Sequence, residues 1–148
     1  MQNPIEYQCT PREEIQSRIA RFQKLLQNND ISGALISQNV DLFYFTGTIQ
    51  RSLLFIPAEG EAVLAVQGNL GRALRESNLS HIVPVKNNQQ LAQALSDFNY
   101  SVRGRIGLEM DVLPAKYYLT LQREFPETDF LDVSEPIKKV RMVKSGYE

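Results

Sequence analysis

Gly33-Ala34-Leu35-Ile36-Ser37 is a short, continuous apolar run between polar flanks. A strand with one wet face alternates apolar and polar residues, and this run does not alternate. It reads as a strand buried on both faces, the kind that lies inside a sheet covered by helices. What surrounds it decides whether such a sheet exists.

Upstream, Ile15, Ile19, Phe22, Leu25 and Leu26 recur at helical spacing over about Thr10 to Asn29. Thr10 is placed to cap this helix, Pro11 to occupy its first position and Glu13 to complete a capping box. Arg12, Arg18, Arg21 and Lys24 fall on the side assigned to solvent. Downstream, Ser52 to Ile56 and Glu61 to Val66 are strand-like runs joined by Pro57-Ala58-Glu59-Gly60, a turn sequence. That is a hairpin and supplies an antiparallel pair.

The rest alternates. Asn69 to Ser77 reads as a short helix. His81 to Val85 is a strand, placed by Pro84 at a sheet edge or strand end. Asn87 or Asn88 caps a helix bearing Leu91, Ala94, Leu95 and Phe98. Arg105 to Leu108 is a strand, Pro114 opens a helix with Tyr118, Leu121 and Phe125, and Phe130 to Val133 is the last strand. Ser134 then caps a final helix carrying Ile137 and Val140. The expectation is an α/β fold with a mixed, mostly parallel sheet of about five to six strands, one antiparallel hairpin and helices on both faces. Asn39 to Gly47 receives no element in this reading.

Bulk properties narrow the function. The 148 residues fit one domain. Sixteen basic residues against seventeen acidic ones give a net charge of −1, so no broad positive field is available for nucleic acid. No apolar run reaches the length of a membrane span, which argues against a membrane partner. Met1 to Tyr7 lacks a basic stretch followed by an apolar one, so it is no secretory leader. Cys9 is the only cysteine, which suits a reducing, cytoplasmic location.

Chemistry-bearing motifs are scarce. His81 is the only histidine, and no H-E-x-x-H pair, P-loop, G-x-G-x-x-G or G-x-S-x-G is present. Glu109 and Asp111 flank Met110 and read as solvated carboxylates near a strand end. Glu13 and Glu14 suit a helix N-terminus. Lys138, Lys139, Arg141 and Lys144 read as a solvated helix face. By itself this is an α/β domain with no self-contained active site.

Four segments in order, from about Arg18 to Glu148, nevertheless resemble the N-terminal domain of the creatinase/prolidase/aminopeptidase P family. They are Asp30 to Ile36, Phe43-Tyr44-Phe45-Thr46-Gly47, Ile106-Gly107-Leu108-Glu109, and Val133 through Arg141-Met142-Val143-Lys144-Ser145 to Glu148. Asp41 stands near where many members have Asn, and Phe45 replaces a common Leu. The resemblance implies that 1–148 is a single non-catalytic domain and that 136–148 starts a junction helix to a C-terminal catalytic domain outside this sequence. That domain would hold two divalent metal ions (Mn, Co or Zn) and cleave Xaa-Pro dipeptides or longer proline-containing peptides. It implies a homodimer, with this domain walling the active site. Tyr44, Gln50 and Arg51 are then the substrate-proximal candidates, and Arg51 also reads as an ordinary loop charge. The alternative is a stand-alone binding or dimerisation module.

Overall fold

The computed structural model describes residues 9–147. The readings made on Met1 to Tyr7 and on Glu148 lie outside the described residues.

Among the described residues, six helices and six strands alternate except at the β2–β3 hairpin: α1 (Arg12–Asn28), β1 (Gly33–Ile36), α2 (Asn39–Thr46), β2 (Ser52–Pro57), β3 (Val63–Val66), α3 (Leu70–Glu76), β4 (His81–Pro84), α4 (Asn88–Asp97), β5 (Gly104–Leu108), α5 (Ala115–Glu124), β6 (Thr128–Asp132) and α6 (Ser134–Met142). The strands form one sheet in the order β4-β3-β2-β1-β5-β6. β2 is antiparallel to both its neighbours, β1 and β3, while β3–β4, β1–β5 and β5–β6 are parallel. Five strands therefore point one way and β2 alone points back. Pro84 ends β4 at the sheet edge, where its missing N–H costs no ladder bond.

Helices cover both faces, as the unbroken apolar strands require. On one side Ile15, Ile19, Phe22 and Leu26 of α1, Leu42 and Phe45 of α2, and Ile137 and Val140 of α6 pack on Ala34, Ile36, Leu54 and Leu64. On the other, Leu91 and Leu95 of α4 and Leu121 of α5 pack on Leu35, Phe55, Val63 and Ile106. β1 divides its side chains between the two cores.

Four local expectations change. Pro11, not Thr10, stands at the N-cap of α1, and no side chain caps it. Thr10 is buried instead, its carbonyl accepting from Asn78 Nδ2 at 2.8 Å. Arg18, expected in solvent, is 5% exposed. It stands three residues after Ile15 and four before Phe22, which puts it on the apolar stripe. Nη1 donates to the Tyr44 carbonyl at 2.8 Å, Nε to Glu14 at 3.1 Å, and the guanidinium lies 4.4 Å from the Tyr44 ring centroid. Such multiple pairing is what lets a guanidinium leave water.

Asn39–Thr46, left without an element, is helix α2. Gln38 caps it by accepting from the Asp41 N–H at 3.0 Å, and Gly47 ends it at φ +83°, a conformation that favours glycine. Its Leu42, Tyr44, Phe45 and Thr46 are all buried, so no single apolar stripe marks it. Finally, Ser134 does not cap α6. Its hydroxyl bonds Asp111 at 2.8 Å, and Asp132 accepts from the Ser134 N–H at 3.0 Å. The helix stops at Met142, and residues 143–147 leave the helical path.

Candidate functional site

In an open α/β sheet, ligands gather beyond the carboxyl ends of the strands, where connections from adjacent strands run to opposite sides. Here that point is the gap between β1 and β5. β1 continues through α2 to β2 on one side of it, and β5 continues through α5 to β6 on the other. A cleft opens there, lined by Gln38, Asp41, Glu109, Asp111, Lys138 and Arg141 among others.

Glu109 is the centre of it. Its sequence context predicts a solvated carboxylate, but the structure buries it, with 1% exposed. It follows the last residue of β5, and Oε1 accepts from the backbone N–H groups of Ser37 at 2.6 Å and Gln38 at 3.2 Å, just past the end of β1. Oε2 is buried and accepts from no donor among the described residues. Burial pushes the Glu109 carboxyl up to about 8; the adjoining Asp41 side chain adds to the rise, while the two amides oppose it.

Cations answer the other acids. Arg141 Nη1 lies 3.1 Å from Asp41 Oδ1, joining α6 to α2. Lys138 Nζ lies 3.2 Å from Asp111 Oδ2. The Ser134 hydroxyl, with Lys138 beside it, holds the Asp111 carboxyl below the usual carboxylate range. The basic run of α6 is thus partly spent on this cleft, with Lys138 and Arg141 pairing inward. His81, at the far edge of the sheet, lies 2.8 Å from Glu61 and stacks on Phe98.

The candidates Gln50 and Arg51 occupy the loop between α2 and β2. The pairing of Leu54 with Ile36 and Ser52 with Val66 puts this loop at the same edge of the sheet as the cleft. Its shape is set from within. Thr46 Oγ1 donates to the Leu42 carbonyl at 2.6 Å, Thr48 Oγ1 donates to Glu76 at 2.8 Å, and Gln50 Oε1 accepts from the Asn69 N–H at 3.2 Å. Arg51 is exposed, and its carbonyl accepts from the N–H groups of Gln67 and Gly68. Tyr44 is elsewhere. It is 8% exposed, donates to the Val140 carbonyl at 3.1 Å and accepts from Arg21 at 3.2 Å, tying α1, α2 and α6 together.

Residues 18–143 match the model of the creatinase/prolidase N-terminal domain. The chain belongs to that family. No curated protein matches the sequence. Among solved structures, this creatinase/prolidase N-terminal domain is similar to the Xaa-Pro dipeptidase from Bacillus anthracis, with a TM-score of 0.77 at 17% identity over 90% of this chain and 38% of that one. It is similar to the prolidase from Pyrococcus horikoshii, with a TM-score of 0.74 at 23% identity over 89% and 37%. The N-terminal domain of the cytoplasmic peptidase PepQ from Mycobacterium tuberculosis gives 0.71 at 19% identity, over 84% and 98%. The chain thus spans under two fifths of the first two proteins and nearly all of the third.

The metal ions that the family resemblance implies do not fit this domain. Among the described residues, no three His, Cys, Asp or Glu side chains converge as a metal site. In the cleft, Arg141 and Lys138 already lie on two of the acids, and the third is pushed toward its neutral form. No helix among the described residues is long and apolar enough to cross a membrane. Glu109, Asp41 and Arg141 were the cluster that sequence reading missed. The available signal was Glu109 following a buried apolar strand without an intervening turn residue.

Proposed function

We propose that this chain is the non-catalytic N-terminal domain of an Xaa-Pro dipeptidase- or aminopeptidase-like metallohydrolase of the cytoplasm. The observation that carries the proposal is the agreement of fold over nine tenths of this chain with a little over a third of an Xaa-Pro dipeptidase. In that reading a C-terminal domain holds two divalent metal ions (Mn, Co or Zn), which supply the activated hydroxide for peptide cleavage. This domain shapes the site and pairs two subunits. Large apolar side chains left exposed on and after α2 (Val40, Phe43, Ile49) and at the end of α6 (Met142, Val143) support a role in docking other protein surface.

Gln50 and Arg51 then form a wall that limits substrate length, on a loop held by hydrogen bonds to the neighbouring α3 region. Tyr44 acts from beneath by fixing α2, the helix that delivers the chain to this loop.

The test has two parts. The purified 148-residue chain, supplied with Mn²⁺, is assayed against Xaa-Pro dipeptides and tripeptides. No turnover is expected, and metal-dependent turnover by this chain would overturn the non-catalytic assignment. In the full-length protein, Arg51→Ala should lower kcat/KM for one substrate length by about tenfold, or 1.4 kcal/mol. Unchanged kcat/KM for every substrate removes the loop from the site. A stand-alone binding module is the second reading. The exposed apolar side chains of α2 and α6 would serve it equally, and a reading frame that encodes no further domain would select it.

A further inference from the structure

We infer that Glu109 and Asp41 together bind one proton beyond the ends of β1 and β5, and that this proton latches α6 onto α2. The argument starts from an accounting of hydrogen bonds. Glu109 Oε1 is satisfied by the Ser37 and Gln38 amides. Oε2 is buried, has no donor among the described residues and adjoins another carboxyl, that of Asp41. A buried acceptor with no donor is costly, and two facing carboxylates are worse. One proton on Glu109 removes both problems, because Oε2–H then donates to Asp41. The other oxygen of Asp41 stays free for its bond to Arg141. The chain of contacts runs from β1 through Glu109, the proton and Asp41 to Arg141 on α6.

The charged groups around the pair come from α2, α6 and the ends of β5 and β6. Asp41 comes from α2. Arg141 and Lys138 come from α6, with Glu135 and Asp111 both on Lys138. Asp132, at the end of β6, is occupied by the N–H groups of Met110 and Ser134. Lys138 is therefore engaged at Asp111, and only Arg141 bears on the pair. Arg141 is partly exposed, at 40% of its side chain. When the proton leaves, Arg141 alone cannot satisfy two carboxylates from the outer side. Water must reach Glu109, and it enters by parting α6 from the first turn of α2.

The device gives α6, the last helix of the domain, a protonation-dependent hold on the sheet. Its test uses the 148-residue chain. The Ser37 amide, which donates to Glu109, is followed by NMR from pH 5 to 9. Hydrogen exchange of α2 and α6 amides is measured over the same range and corrected for the intrinsic rate. The Ser37 amide should titrate well above the ordinary glutamate range. Opening of α6 should rise by about tenfold per pH unit until Glu109 ionises in the folded state. Glu109→Gln keeps an acceptor for the two amides and a donor for Asp41, so it should abolish both effects with α6 still protected. Asp41→Asn should lower the Ser37 midpoint. A Ser37 midpoint in the ordinary glutamate range overturns the shared proton. A high midpoint with pH-independent α6 exchange overturns the latch.

Discussion

Gly107 offers the sharpest test of how the cleft is built. It sits in β5 of the Ile106-Gly107-Leu108-Glu109 segment, two residues before the buried acid. Its φ is not positive, so conformational freedom is not why it is glycine. Space is. A Cβ placed there would lie 2.9 Å from Val133 Cγ2, nearer still to Cγ1, and 3.2 Å from Val133 Cβ. Val133 has no room to retreat. It is fully buried, and its N–H donates to the Leu108 carbonyl at 2.9 Å. Gly107→Ala should therefore cost about 1–3 kcal/mol by overpacking, with the upper part favoured because α6 starts at the next residue. Val133→Ala alone removes two buried methyl groups at about 0.8 kcal/mol each, plus a cavity term. In the double variant, the new Cβ enters the space that the methyls vacate. Only the 3.2 Å approach to the Cβ at position 133 remains, so its stability should lie close to that of Val133→Ala alone and the coupling should recover most of the cost of about 1–3 kcal/mol. Urea unfolding of the four proteins, with unchanged slopes, measures this. A Gly107→Ala cost under about 0.5 kcal/mol, or costs that simply add, would refute the reasoning.

Stability should also depend on pH with an unusual sign. Glu109 is raised in the folded state, so between the ordinary glutamate range and about 8 the folded chain holds a proton that the unfolded chain has lost. Stability then falls as pH rises, by up to about 1.4 kcal/mol per unit, and urea midpoints of Glu109→Gln should lack this slope. Asp111 works oppositely, since its lowered carboxyl contributes stability that is lost as pH drops through the carboxylate range. The optimum should fall near pH 5. Tyr44→Phe removes the donor to Val140 and the acceptor for Arg21, and should lower stability by about 1 kcal/mol in a thermal melt. Arg51→Ala should leave the melt within about 0.5 kcal/mol of wild type, because the side chain is exposed.

The fold class was open to reading because its signals are local. Gly33 to Ile36, Leu53 to Ile56 and Ala62 to Val66 are apolar on both faces, and a strand of that composition has nowhere to go except between helices. The cap of α4, narrowed to Asn87 or Asn88 and found at Asn87, and Pro84 at the edge strand act within a few residues and were equally legible. Helix α2 was not. Its exposed face carries Val40 and Phe43 beside Asn39, so apolar residues lie all round it and no polar–apolar period marks it as a helix.

The cleft lies beyond local reading for a different reason. Charged side chains such as Arg18 and Glu109 default to solvent unless partners are known, and their partners are far away in sequence: 26 residues from Arg18 to Tyr44, and 72 from Glu109 to Ser37. Asp41 and Arg141 are separated by 100. What joins them is the sheet order, in which β5 inserts beside β1 although three strands lie between them in the chain. That insertion carries Glu109 to the amides after β1, and β6 then returns Ser134 and α6 across the top. A different order with the same six strands would keep both hydrophobic cores plausible but would strand Glu109 in apolar surroundings without its two amides. The burial of this one carboxyl is therefore evidence about topology as well as chemistry, and the Ser37 amide titration reads both together.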